Sequence, residues 1–349
     1  MAGPKRNFFV PIAAAAVVTA AILGGFWWRS HSRTAAFDNF RYLPAGAPVA
    51  VAIDLEGFRR TALVRLALLS QAAPELDRAY AEFVRETGFN WEKDLDSLAA
   101  SVGGAHGSEA NGRRDISAVL QGHFDQARFT AYSEKRRDQA ESYRGRTISS
   151  YTGPSGRRFH TVFLDDRRLA FSNAAHAGTI HRIIDLADRQ PGATLHERLN
   201  QIGLPGHLAA NTQAWVAFDW AMARASTDGG PAGVNPAPGG GAPGELRPEL
   251  LKGSRIAVLG ARIVGASVEF RALAAFGTDA EARRFADTLS TLRILLAEVS
   301  RQRGSPASRD LAGVLDRLSI GTEREAVVVG VTVEMDVIEQ LLSGAADAT

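Results

Sequence analysis

The sequence predicts an α+β protein: a tandem duplication of one antiparallel, ferredoxin-like unit (a sheet with helices on one face), preceded by a single N-terminal transmembrane helix. Three observations predict it. Valine-rich runs of period two alternate with amphipathic stretches of helical period. The order strand, helix, two strands, helix, strands, helix occurs twice along the chain. Residues Phe8 to Trp28 carry no charged side chain.

That first run, FFVPIAAAAVVTAAILGGFWW, would rise about 30 Å as a helix, the thickness of a bilayer's hydrocarbon core. Lys5 and Arg6 precede it, and Trp27 and Trp28 close it where an aromatic belt would sit. A cleaved signal peptide is the rival reading. Val18-Thr19-Ala20 would serve as its small-x-small site, yet cutting there leaves AILGGFWW on the mature end. The uncleaved anchor is the preferred reading, with residues 1–7 as a cytoplasmic tail, 8–28 as signal anchor and 29–42 as stalk. In a bacterium this places the C-terminal part outside the inner membrane, single-pass and periplasmic.

The first unit is expected over residues 43–192. LPAGAPVAVAID (Leu43 to Asp54) reads as a turn and a strand, and LEGFRRTALVRLALLS continues as an amphipathic helix. PELDRAYAEFVRET is a second helix, opened by Pro74 and stopped at Gly88. SLAASV and DISAVLQGHF are strands, DQARFTAYSEKRRDQ a helix and GRTISSY a strand. RRFHTVFLDDRRLAFSN reads as a hairpin turning at Asp165-Asp166, and a helix carrying Ile180, Ile183, Ile184 and Leu186 ends at Pro191-Gly192.

The second unit is expected over residues 193–349. TQAWVAFDWAMARAS repeats the pattern of PVAVAIDLEGFRRTA, a strand ending in apolar-Asp-apolar and running into a helix. RIAVLGARIVGASVEFRALAAF is a strand pair hinged between Gly260 and Gly265, followed by a long helix. DLAGVLDRLSIGTEREAVVVGVTVEMDVIEQLLSG supplies a helix, a strand and a closing helix. Within this unit, glycine and proline dominate residues 226–248, which reads as a loop insertion.

Composition excludes more than it suggests. With no cysteine, disulfides, thiolate catalysis, iron–sulfur clusters and cysteine zinc sites are all ruled out. A formal net charge of +2 gives no overall field toward nucleic acid or an anionic surface. The arginine doublets Arg113-Arg114, Arg136-Arg137, Arg157-Arg158 and Arg167-Arg168 mostly have acids beside them, so a solvated mixed-charge surface is favoured over a phosphate face.

No phosphate loop, dinucleotide fingerprint, nucleophile elbow or zinc-protease motif occurs; GARIVGAS has the glycine spacing of a phosphate loop but lacks its lysine. His176 and His181 are five apart on a helix and cannot share a metal as an i, i+4 pair would. Asp54 and Asp219 occupy matching places in the two halves, each at a strand end. They read either as helix caps or as two acids facing one cleft between the units. With His160 on a strand, they are the cleft candidates; no catalytic, metal or cofactor-binding residue is assigned.

TGFNWEKDLDS crowds Glu92, Asp94 and Asp96 beside Trp91. A calcium loop needs further oxygen ligands and a glycine that are missing, so this acidic knot reads as punctuation between a helix and a strand. LPAGAPV and TGFNWEKDLD together resemble uncharacterised bacterial membrane-anchored extracytoplasmic proteins of unknown function. Asn90 stands where that pattern has aspartate. The resemblance covers residues 40–190, implies an extracytoplasmic domain and transfers no catalytic residue.

The expected function is a non-enzymatic envelope module, tethered through residues 8–28, that binds an envelope protein or small ligand, or is structural. The alternative is an envelope hydrolase using Asp54, Asp219 or His160 in the cleft between units. No cofactor and no nucleic-acid partner is expected.

Overall fold

The computed structural model describes residues 35–59, 74–103, 115–152, 156–201, 212–220, 253–303 and 306–338. The tail, the anchor at 8–28, most of the helix expected after Leu55 and the insertion at 226–248 lie outside the described residues. No described helix is long and apolar enough to cross a membrane.

The chain is α+β and centres on one antiparallel sheet. A short helix α1 (Ala35–Asp38) and a 3-10 turn (Asn39–Tyr42) lead to β1 (Val49–Asp54) and α2 (Leu55–Arg59). Helices α3 (Pro74–Thr87) and α4 (Trp91–Asp94) precede β2 (Leu95–Gly103) and β3 (Asp115–Gly122). Then come α5 (Gln126–Arg136), β4 (Gln139–Tyr143), β5 (Arg146–Thr152), β6 (Arg158–Phe163), β7 (Arg168–Ser172), α6 (Gly178–Ala187) and α7 (Leu195–Gln201). The remainder is β8 (Ala214–Asp219), β9 (Ile256–Val264), β10 (Ser267–Ala275), α8 (Asp279–Arg303), α9 (Pro306–Arg317), β11 (Ser319–Glu323) and β12 (Ala326–Glu334).

All 12 described strands form a single sheet in the order β11-β12-β10-β9-β8-β1-β2-β3-β7-β6-β5-β4. The first half and the second meet at β1 and β8, which pair antiparallel from Val49↔Phe218 to Ile53↔Ala214. Outward from that seam the strands run β1-β2-β3-β7-β6 on one side and β8-β9-β10-β12-β11 on the other, and β5-β4 extend the first side alone.

Local chemistry sets the element ends. Gly88, at φ +74°, turns the chain out of α3 in the left-handed region. Asn90 caps α4 by accepting from the Glu92 amide at 2.9 Å, and Asp125 caps α5 by accepting from the Arg128 amide at 3.1 Å. A reciprocal capping box of Thr194 with Glu197 opens α7, and at α8 Thr278 Oγ1 accepts from the Glu281 amide while the Glu281 carboxylate accepts from the Gly277 amide.

Alternation along the strands divides the core. Ala50, Ala99, Val119, Ala170, Trp215, Val258, Leu273 and Ala326 face one side, packed with Phe40, Leu43 and the α6 isoleucines 180, 183 and 184. The next residues along, Ala274 and Val327, face the other side with Phe276, Ala282 and Ala286 of the α8 region. Helices therefore cover both faces, against the expectation of one. A twelve-strand sheet with apolar residues at both parities needs cover on each side.

Several elements differ from the sequence reading. Residues 35–42, read as part of the stalk at 29–42, form α1 and the 3-10 turn because Phe40 is apolar and packs fully buried in the main core. The acidic punctuation at Trp91–Asp94 is the short helix α4. QAESY forms β4, an edge strand, and LHERLNQ forms α7. The segment read as one strand after α9 is a hairpin, β11 and β12, turning at Arg324. The hinge of the β9–β10 pair falls at Gly265 and Ala266, while Gly260 sits inside β9 opposite Arg271.

Candidate functional site

The seam is the first place to look, because two matched acids end its strands. The Asp54 amide donates to the Gln213 carbonyl at 2.6 Å, and the Asp219 amide to the Pro48 carbonyl at 2.7 Å. Antiparallel pairing thus sends equivalent positions to opposite ends, roughly 20 Å apart at the usual strand rise. The acids do not converge. Asp54 Oδ1 accepts from the Gly57 amide at 2.9 Å at the start of α2. Asp219, 9% exposed, accepts from Arg198 Nη2 at 2.6 Å and Nε at 3.2 Å. Between them the seam is filled: a cavity of only about 10 Å³ remains among Ala50, Leu195, Leu199, Ala217 and Phe218. The cleft expected between the units is absent among the described residues.

His160 lies elsewhere, on β6 and 2% exposed. Its Nδ1 is 2.8 Å from the Ser150 hydroxyl across the β5–β6 ladder. Burial pushes its pKa below the ordinary range, with the Ala174 backbone opposing and Arg158 adding to the depression. His181 stands near it, stacked on Tyr143 at 4.1 Å with Nε2 2.8 Å from the Glu141 carboxylate. Among the described residues no three metal-ligating side chains cluster. The acidic knot is engaged locally: Asp94 accepts from the Asn90 amide at 2.7 Å, and Asp96 accepts from Arg167 at 2.8 Å.

His160 belongs to a polar stripe that crosses five strands. Ser101, Ser117, Ser172, His160 and Ser150 are successive cross-strand partners on the face beneath α6. Ser117 donates to the Ser172 hydroxyl at 3.4 Å. Small side chains here let the isoleucine face of α6 come down on the sheet.

At the β2 end the stripe opens into a cavity of about 280 Å³. Its floor is Ser101, Gly103, Asp115 and Ser117; its walls are the Pro44–Ala47 loop and the first turn of α6, with Gly178, Thr179 and Arg182. Thr179 and Arg182, three apart, share a helix face. Gly192 lets the Arg182 guanidinium lie against the chain, because a Cβ there would overlap it. No side chain caps α6, since Ala177 occupies the N-cap position. Among the described residues, the side chains of Ser101, Asp115, Thr179 and Arg182 make no hydrogen bond or ion pair. A neighbouring shallow cavity, about 330 Å³ over Thr194, Glu197 and Arg198, differs in having its polar groups engaged in the α7 capping box and the Asp219 pair.

None of these four residues was singled out in the sequence. Ser101 and Asp115 read as ordinary strand positions, and Arg182 sits on a helix with Asp185 and Asp188, which looks like a solvated mixed-charge face. Only the fold assembles them.

No family model and no curated protein matches the chain. The structure is similar to crystal form IV of TP0453, with TM-score 0.46 and 8% identity over 87% of this chain and 96% of that one. It is also similar to crystal form III (TM-score 0.44, 8% identity, 87% and 97% covered) and crystal form I (TM-score 0.44, 7% identity, 89% and 98% covered).

Proposed function

We propose that the chain is a membrane-tethered extracytoplasmic binding module, anchored through residues 8–28, and that it works without catalysis. The observation that carries this reading is the open cavity beside α6, lined by four polar side chains without partners among the described residues. Three of the four, Asp115, Thr179 and Arg182, are half-buried and open to solvent, and concave sites with a few convergent polar groups are where ligands bind. The charge-free run from Phe8 to Trp28 supports the tether.

The reading includes a tandem duplication. Its support is the matched outward order, β1-β2-β3-β7-β6 against β8-β9-β10-β12-β11, with a helix crossing after the third strand in each half. In this scheme the β4–β5 hairpin is an addition to the first unit.

The hydrolase alternative has the 2.8 Å Ser150–His160 contact in its favour. A nucleophile must reach its substrate, however, and these side chains are 7% and 2% exposed. Asp54 and Asp219 stand too far apart to act as a pair.

Native mass spectrometry of the full-length chain, released from membranes in mild detergent, tests the module. A co-purifying small molecule of defined mass is the expected result. A clean apo mass that no added small ligand changes would overturn small-ligand binding and turn the search to envelope proteins.

A further inference from the structure

We propose that the cavity between β2, β3 and the first turn of α6 binds a small zwitterion of the α-amino-acid class, its carboxylate toward Arg182 and its ammonium toward Asp115. This deepens the binding-module reading and rests on it.

Among the described residues the cavity is lined by one cation, Arg182, and one anion, Asp115, which do not pair with each other. A lone anion would meet Asp115, and a lone cation would meet Arg182 and the positive end of the helix. A zwitterion satisfies both. The guanidinium fork suits a carboxylate, which it can hold through two parallel hydrogen bonds.

The helix end adds to the same pole. The His181 amide is the first in α6 to bond a helical carbonyl, that of Ala177, at 2.9 Å. The amides before it emerge beside Thr179 with no side-chain cap, an arrangement that favours negative charge.

An independent observation points into the cavity. Ser101 is 5% exposed, yet its hydroxyl has no hydrogen-bond partner among the described residues, while its cross-strand neighbour Ser117 bonds to Ser172. The Ser101 oxygen is not sealed from solvent, so it is free to donate to or accept from a ligand in the cavity. Its place on the floor, between the two charged poles, suits either ligand group.

The test uses the full-length chain in detergent micelles and isothermal titration with the twenty L-amino acids. For each binder, two single-charge relatives follow: the amine lacking the carboxylate and the N-acetyl acid lacking the ammonium. The proposal expects at least one amino acid to bind, with both relatives at least tenfold weaker. Arg182→Ala is expected to weaken the amino acid tenfold or more, and Arg182→Lys less. Asp115→Asn should weaken the amino acid while leaving the N-acetyl acid within about twofold. Far-UV circular dichroism checks that each variant folds.

Absence of amino-acid binding to the parent chain overturns the proposal, as does binding that survives both Arg182→Ala and Asp115→Asn. Native mass spectrometry separates this failure from that of the module itself. A co-purifying ligand of another class, still held by Arg182→Ala, sinks the zwitterion site and keeps the module. A chain that binds nothing and carries nothing sinks both.

Discussion

Val51 stands opposite Val216, in the middle of the five paired positions that join β1 to β8. Around that pair two distant parts of the chain become one sheet, and the main core runs through both, from Phe40 to Ala326. The consequence for function is geometric. A seam closed by antiparallel strands has no mouth, and it places Asp54 and Asp219 at its two ends. The larger cavity lies instead on the flank of the first half, where a helix end meets a pair of serines.

The first prediction concerns how tightly that seam is filled. Ala50 and Ala217 are cross-strand partners, 2% and 3% exposed, beneath Leu195 and Leu199 of α7. A cavity of about 10 Å³ leaves no room for added methyl groups. Ala217→Leu is expected to destabilise the protein by about 1–3 kcal/mol through overpacking, read as a shifted urea midpoint. An unchanged midpoint would mean that α7 is not held against the sheet.

Gly122 gives a sharper case. A Cβ at this position would overlap the Asp94 carbonyl oxygen, and that carbonyl accepts from the His123 amide at 2.8 Å. Backbone cannot swing aside as a side chain does. Gly122→Ala should cost about 3 kcal/mol, seen in denaturant melts, because either the bulge at Leu95 and Ser97 or the His123 bond must give way. A loss below half a kcal/mol would place Asp94 elsewhere.

The sequence showed its α+β character through period. VAVAID and AWVAFD are short valine-bearing apolar runs of strand length, and the isoleucines of α6 recur at helical spacing. It hid β4 because QAESY is a polar edge strand with no buried side chain to mark a face. It hid α7 because LHERLNQ carries only two buried leucines. It merged β11 with β12 because the turn uses Arg324 at φ +53°, where a glycine or asparagine would have signalled a break. The cavity was least legible. Ser101, Asp115 and Arg182 lie up to 81 positions apart, and nothing local distinguishes them from a strand's polar face or a helix's solvated one. The acids that did look special, Asp54 and Asp219, were matched by repetition, which says nothing about the direction in which two copies pair.

That same Arg324 supplies a stabilising substitution. It is exposed, it holds a left-handed conformation between Glu323 and Ala326, and a Cβ there costs energy that glycine avoids. Arg324→Gly is expected to raise stability by about 0.5–1 kcal/mol, measured by urea unfolding. A decrease would show that the arginine side chain holds a contact worth more than the turn strain.

The last prediction is a pH dependence. His160 is buried, and its pKa is held below the ordinary value of 6.5, first by burial and then by Arg158 and His181, while the Ala174 backbone and Glu141 oppose the shift. Above pH 6.5 the imidazole is neutral in both the folded and the unfolded chain, so it contributes no slope. As the pH falls below 6.5, the unfolded chain takes up a proton that the folded one refuses. Stability then falls with pH, by at most about 1.4 kcal/mol per unit for one proton, until the folded value is reached. His160→Gln removes the titration and keeps polar atoms to meet the Ser150 hydroxyl. The variant should therefore start less stable near neutrality and lose less on acidification, so that the two curves of unfolding free energy converge toward pH 5. Parallel curves from pH 7 to pH 5 would show that His160 keeps its ordinary affinity for protons, and that the stripe beneath α6 is wetter than its burial implies.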